Sequence, residues 1–332
     1  MSSLAVGVIL VFIVLFVMFL QIALHPFIKK ITNSYLFWLF IAIICLVYFI
    51  IFRYVPDLKA LVAVISAQGD SEKLREIVTP YYPQMIAGGE LMRASSIYLG
   101  FCLSKIFITD FCPFFFVASL LALILQPSRK VASYLAGPQL LGALLTLFVS
   151  IFPGDDGNAQ FNFQYIFMGN DPYRLKYAMH ALSACIALGV LLSTPNVKMK
   201  NWLYTGAVCI VFFLYITVMK YASSLIRIEN ESFAISGIVV ECTGIVENDW
   251  LKEILPAIQG AANPKQINGV FAGFGAVLGN IPWYFKEVIT ISLLTLIASG
   301  IVWLNWAVQL LPAYKIRNVK AKRPFWVGYY KV

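Results

Sequence analysis

Apolar runs of about 20 residues recur along this chain, and that is the length an α-helix needs to cross a hydrocarbon core roughly 30 Å thick. Seven can be read: Ala5–Leu24, Tyr35–Phe52, Tyr98–Gln126, Ala132–Phe152, Tyr173–Ser193, Trp202–Tyr221 and Phe285–Leu311. Of the 332 residues, 60% are hydrophobic and 12% charged, against about 45–50% and about 25% in a soluble domain. The mean hydropathy is +0.81. These values predict an all-α, polytopic membrane helix bundle in a cell membrane, with about seven transmembrane helices. Residues 1–312 form a single bundle and residues 313–332 a basic tail. The first run lacks a small-residue cleavage site and exceeds a signal-peptide core, so it is expected to stay as a span.

The charges give the orientation. The connections after spans one, three and five, with the tail, carry Lys29, Lys30, Arg129, Lys130, Lys198, Lys200 and a cluster from Lys315 to Lys331, and no acid. Short basic loops stay in the cytoplasm. The N-terminus is therefore expected outside and the C-terminus inside. The net charge of +9 is read as this topology signal, not as a nucleic-acid footprint. The outer connections, 53–96 and 222–284, are long. The first holds the amphipathic stretches "PDLKALVAVI" and "SEKLREIV", which suit interfacial helices. The second holds "NGVFAGFGAVLGNIPWYF", which suits a re-entrant segment.

No nucleotide loop is present and no cytoplasmic segment is long enough for a nucleotide domain, so neither nucleotide nor nucleic acid is expected as a partner. The six cysteines form no CxxC pair and there are two histidines. No metal and no cofactor is expected. Membrane lipids are the expected partners.

Spans three and four read as broken. In "ITDFCPFFF", Pro113 removes an N–H and pushes Cys112 away from helical dihedrals. That predicts two half-helices, with Asp110 and Cys112 at the start of the second. Such a terminus exposes N–H groups and lowers a thiol pKa. An intramembrane carboxylate such as Asp110 marks a site or pairs with Lys105. In "YLAGPQLLGALL", Pro138 predicts a second break, with Gln139 needing partners. In "GNDPYRLKYAMHALSACIALGV", Asp171 and Pro172 predict the helix start. Tyr177, His180 and Ala184 then share a face. His180 is a candidate general base, or a buried histidine bonded to a carbonyl.

The order of "TDFCPFFF", "GPQLLGALL", "YAMHALSA" and "GNIPWYF" resembles the YwaF family of bacterial membrane proteins and a vertebrate TMEM-type relative, a cysteine-dependent phospholipid acyltransferase. The resemblance implies acyl transfer through a Cys112 thioester with His180 as base, and oxyanion donors from Gln139 or the Pro113 half-helix. Two other readings stand beside it. One is a transporter or solute-binding protein with Lys105, Asp110, Gln139 and Tyr177 lining a site at the broken helices. The other is a non-catalytic membrane protein.

Overall fold

The computed structural model describes residues 3–149, 160–170, 173–194, 202–224, 227–228 and 231–232. Expectations for span seven, the 222–284 connection beyond these residues, the re-entrant stretch, the tail, Asp171 and Pro172 lie outside them. Among the described residues, the regular structure is helical apart from two two-residue antiparallel ladders. Five helical segments among the described residues are long and apolar enough to cross a membrane: Leu4–Thr32, Tyr35–Ser66, Leu91–Leu125, Lys130–Phe148 and Lys176–Ser193.

Helix α1 (Ser3–Thr32) leads to α2 (Tyr35–Phe49). One π-helical turn, Ile50–Tyr54, joins α2 to α3 (Val55–Ser66) without interruption. The second expected span is thus much longer than Tyr35–Phe52. Pro56 sits in the first turn of α3 and has no N–H to give. The widened turn before it lets the helix continue, and it turns Arg53 inward, where only 7% of the residue is exposed. Helices α4 (Ser71–Val78) and α5 (Pro83–Ala87) follow. Asp70 caps α4 by accepting from the Lys73 N–H at 3.1 Å. The same carboxylate pairs with the Lys73 ammonium at 2.9 Å, which holds its pKa below the ordinary carboxylate range.

Helix α6 (Leu91–Ile106) and α7 (Phe111–Leu125) are the two halves of the third span. The break exists, but Pro113 does not make it. Ile108 adopts φ +52°. The Thr109 N–H donates to the Ser104 carbonyl at 3.0 Å and the Ile108 N–H to the Lys105 carbonyl at 3.3 Å. This is a Schellman termination with isoleucine where glycine is usual. Pro113 falls in the first turn of α7, where its missing N–H costs nothing.

The second expected break is absent. Helix α8 (Lys130–Val149) runs unbroken through Pro138. A proline orphans the carbonyl four residues back, here that of Tyr134. The Thr205 hydroxyl on α10 (Trp202–Ser224) donates to that oxygen at 3.3 Å. Helix α9 (Lys176–Ser193) begins after Leu175, a left-handed residue at φ +58°, rather than at Tyr173.

The main core joins α1, α2, α7, α8, α9 and α10. A second core joins α3, α4 and α6 around Val64, Leu74, Val78 and Ala94. Phe12, Phe16 and Phe19 on α1, and Leu36 and Phe40 on α2, stand more than half exposed. Side chains of this size suit hydrocarbon rather than water. Between α2 and α9 the helices touch closely. A methyl group at Gly189 would lie 2.7 Å from the Trp38 ring, whose N–H donates to the Thr32 carbonyl at 2.6 Å. Gly189→Ala should therefore cost about 1–3 kcal/mol by overpacking. Unfolding by titration with SDS would read that loss, and an unchanged midpoint would show that Trp38 can move aside.

One end of the bundle is tied by Arg129, which precedes α8 at φ +56° and is 7% exposed. Its guanidinium donates to the carbonyls of Asn33 at 2.8 Å, Ser193 at 3.1 Å and Thr32 at 3.3 Å. The C-terminal ends of α1 and α9 are thus held by one side chain. Their orphan carbonyls carry partial negative charge that a cation satisfies. Burial lowers the Arg129 pKa from its ordinary value.

Candidate functional site

Polar groups gather at the opposite end. Arg174 donates to the Asp57 carboxylate at 3.0 Å. Asp57 also faces Arg53 Nε at 3.8 Å, four residues earlier on the same helix. Arg53 Nη2 lies 3.4 Å from Asp110 Oδ2, and Lys105 pairs with the same oxygen. Among the described residues, three cations and two carboxylates form one continuous ionic chain. Arg53 and Asp57 are buried, and the side chains of Lys105 and Asp110 are 10% and 18% exposed. The Arg53 guanidinium also lies over the Phe49 ring at 5.7 Å and donates to Met179 Sδ at 3.3 Å.

The break in the third span places half of this chain. Lys105 ends α6, Asp110 stands at the N-cap position of α7, and their pairing closes over the turn at Ile108. The Asp110 side chain makes no capping bond there. The carbonyl of Phe107, left open at the end of α6, accepts from the Tyr215 hydroxyl.

Depth follows from helix length. Arg53 lies 18 residues along from Tyr35, about 27 Å from the Arg129 end at 1.5 Å per residue. Asp110 lies 15 residues before Leu125, about 22 Å from that end. The ionic chain thus lies toward the end of these helices away from Arg129.

Beyond the chain a cleft of about 870 Å³ opens between α3 and α4. Lys59, Lys73 and Arg174 line it, with Glu76 the one acid among its lining residues. Arg174 therefore belongs to both the cleft and the buried chain.

The remaining predicted residues lie elsewhere. Cys112 Sγ is 3.5 Å from the Thr146 hydroxyl on α8. A methyl group at Gly142 would meet it at 3.0 Å. His180 is 6% exposed and its Nδ1 faces the Lys176 carbonyl. Tyr177 donates its hydroxyl to the Leu10 carbonyl of α1 at 2.8 Å. Gln139 is fully buried and donates to the Ser183 carbonyl at 3.2 Å, while its Oε1 meets no donor among the described residues. A lone buried acceptor is costly. Gln139→Leu should leave stability within about 1 kcal/mol of the parent, because it removes that penalty along with the bond. A loss above about 3 kcal/mol in SDS unfolding would show that Oε1 is satisfied in the folded protein.

Arg53, Asp57 and Arg174 are functional candidates that their sequence context does not single out. The first two stand four apart in "RYVPD", where an apolar run ends, and that pattern suits the start of a loop equally well.

The match to a protein family runs from residue 9 to residue 256, and the family is described as one of unknown function, DUF5378. The chain belongs to DUF5378. Similar proteins include the uncharacterised protein MG135 of Mycoplasma genitalium, 29% identical over 148 residues, covering 45% of this chain and 48% of that protein. The MG135 homologue of Mycoplasma pneumoniae is 27% identical over 198 residues, covering 55% of this chain and 64% of the homologue. The chain thus spans between about half and two thirds of the length of these relatives. No solved structure matches it. DUF5378 membership overturns the resemblance to the YwaF family and its acyltransferase relative. The motifs behind that resemblance are short and apolar, and small residues, prolines and aromatics recur in membrane helices of unrelated families.

Proposed function

We propose that this DUF5378 member is a seven-span protein of the cell membrane, N-terminus outside, that binds an anionic solute at its outer end. The basic connections support the orientation, and the helix ends gathered by Arg129 agree with an alternation of spans. The observation that carries the function is the convergence of Lys59, Lys73 and Arg174 on one cleft, with Arg174 leading through Asp57 to Arg53, Asp110 and Lys105. Guanidinium and ammonium groups at a partly dried boundary bind carboxylate or phosphate through charge-assisted bonds. This solute-binding reading is preferred to acyl transfer because the Cys112 thiol is engaged by α8.

The full chain in neutral detergent tests it. Inorganic phosphate should raise the thermal midpoint more than chloride at equal ionic strength, since a ligand of the folded state stabilises by mass action. Lys73→Gln combined with Arg174→Gln should abolish the difference. An equal response in parent and variant would overturn the proposal, as would an acyl thioester trapped on Cys112.

A further inference from the structure

We infer that the anion bound in the outer cleft is a phosphate ester with an apolar body, rather than a bare inorganic ion. The inference rests on the anion-binding reading above and names its ligand.

The cleft has two kinds of wall. Lys59, Lys73 and Arg174 supply one. Pro56, Ala60, Ile77 and Pro80 supply the other, beside the tyrosine pair Tyr81 and Tyr98. The two tyrosine rings stack with centroids 4.5 Å apart and planes 17° apart, a flat and fixed surface. A volume of about 870 Å³ lies within the range of sites for small organic ligands, about 300–1,000 Å³. Inorganic phosphate would use only the cationic wall and leave the apolar one wet. An ester uses both.

The position of the cleft points the same way. In the membrane placement proposed above, the cleft lies beyond the ionic chain at the outer end of the helices, at head-group level. There a phosphate group and an apolar body arrive together. Arg174 suits the phosphate because its fork can hold one oxygen pair while Asp57 fixes its orientation from below.

The same chemistry can come from a membrane phospholipid or from a water-soluble ester, and one experiment separates them. The full chain in neutral detergent is titrated with inorganic phosphate, glycerol phosphate, a short-chain phosphatidylglycerol and a short-chain diacylglycerol, and its thermal midpoint is followed. One of the two phosphate esters should act at a concentration at least about tenfold below inorganic phosphate, as burial of two methylenes alone would give. An advantage for phosphatidylglycerol identifies a lipid, and one for glycerol phosphate a soluble ester. Tyr81→Ala should remove the advantage yet leave the response to inorganic phosphate. Equal potency of inorganic phosphate and both esters would overturn this inference and leave the anion site standing. Diacylglycerol matching phosphatidylglycerol would also overturn it, since no phosphate is then read. A protein indifferent to all four ligands would overturn the anion site itself.

Discussion

Replacing Asp57 by alanine should cost about 3 kcal/mol of stability, because it leaves the buried Arg53 guanidinium and the partly exposed Arg174 guanidinium short of their shared carboxylate. Arg174 would lose its 3.0 Å bond, and Arg53 would keep Asp110 as its one acidic partner among the described residues. The loss should appear as an early midpoint in SDS unfolding and as poor accumulation in the membrane. Adding Arg174→Gln to Asp57→Ala should return part of it, since one of the stranded cations is then gone. If the single variant loses less than about 1 kcal/mol, Asp57 is reached by water and the ionic chain is a surface feature.

Arg129→Ala should be nearly as damaging, by about 3 kcal/mol. Three carbonyls at the ends of α1 and α9 lose a charged donor, and hydrogen bonds to charged groups each contribute about 1.5–3 kcal/mol in water and less in membrane bundles. Arg129→Lys should restore little of this, because a point ammonium cannot serve carbonyls lying in two directions. Limited proteolysis on the side of the bundle where Arg129 lies gives an independent reading. Cleavage near Asn33 should speed up as the ends of α1 and α9 come apart. Unchanged cleavage with unchanged stability would mean that packing alone holds these ends.

Most of the helices were legible because an apolar run near 20 residues has few other fates. The interruptions were harder to place. The third span does break, but at Ile108, and no glycine announces the left-handed residue there. Its strain, of order 1–2 kcal/mol, is sustained by the Schellman bonds and by partial packing of the side chain against the core. Pro138 looks as disruptive in sequence as Pro113, yet α8 passes through it. The donor that satisfies the freed Tyr134 carbonyl comes from Thr205 on another helix, and only the folded chain brings it near.

The site was half legible. Asp110 and Lys105 stood out as charges inside an apolar run and do pair. Arg53 and Asp57 hid at a run's edge, because the sequence does not show that α2 continues through a π turn into α3. Cys112 and His180 drew attention by residue type. The structure gives the thiol to Thr146 and Gly142, and the ring to a backbone carbonyl.

The Lys105–Asp110 pair spans only five residues, and this bears on how the chain reaches the bilayer at all. In the membrane placement proposed above, helix α7, with 15 residues, is too short to cross alone, so α6 enters with it and brings both charges along. An ion that waits for a distant partner must be stranded in oil or delayed at the surface. Here each charge finds its opposite across a single turn, as soon as the break at Ile108 forms. The segment can be delivered to the membrane nearly neutral during synthesis, and Arg53 joins the pair when the other helices assemble.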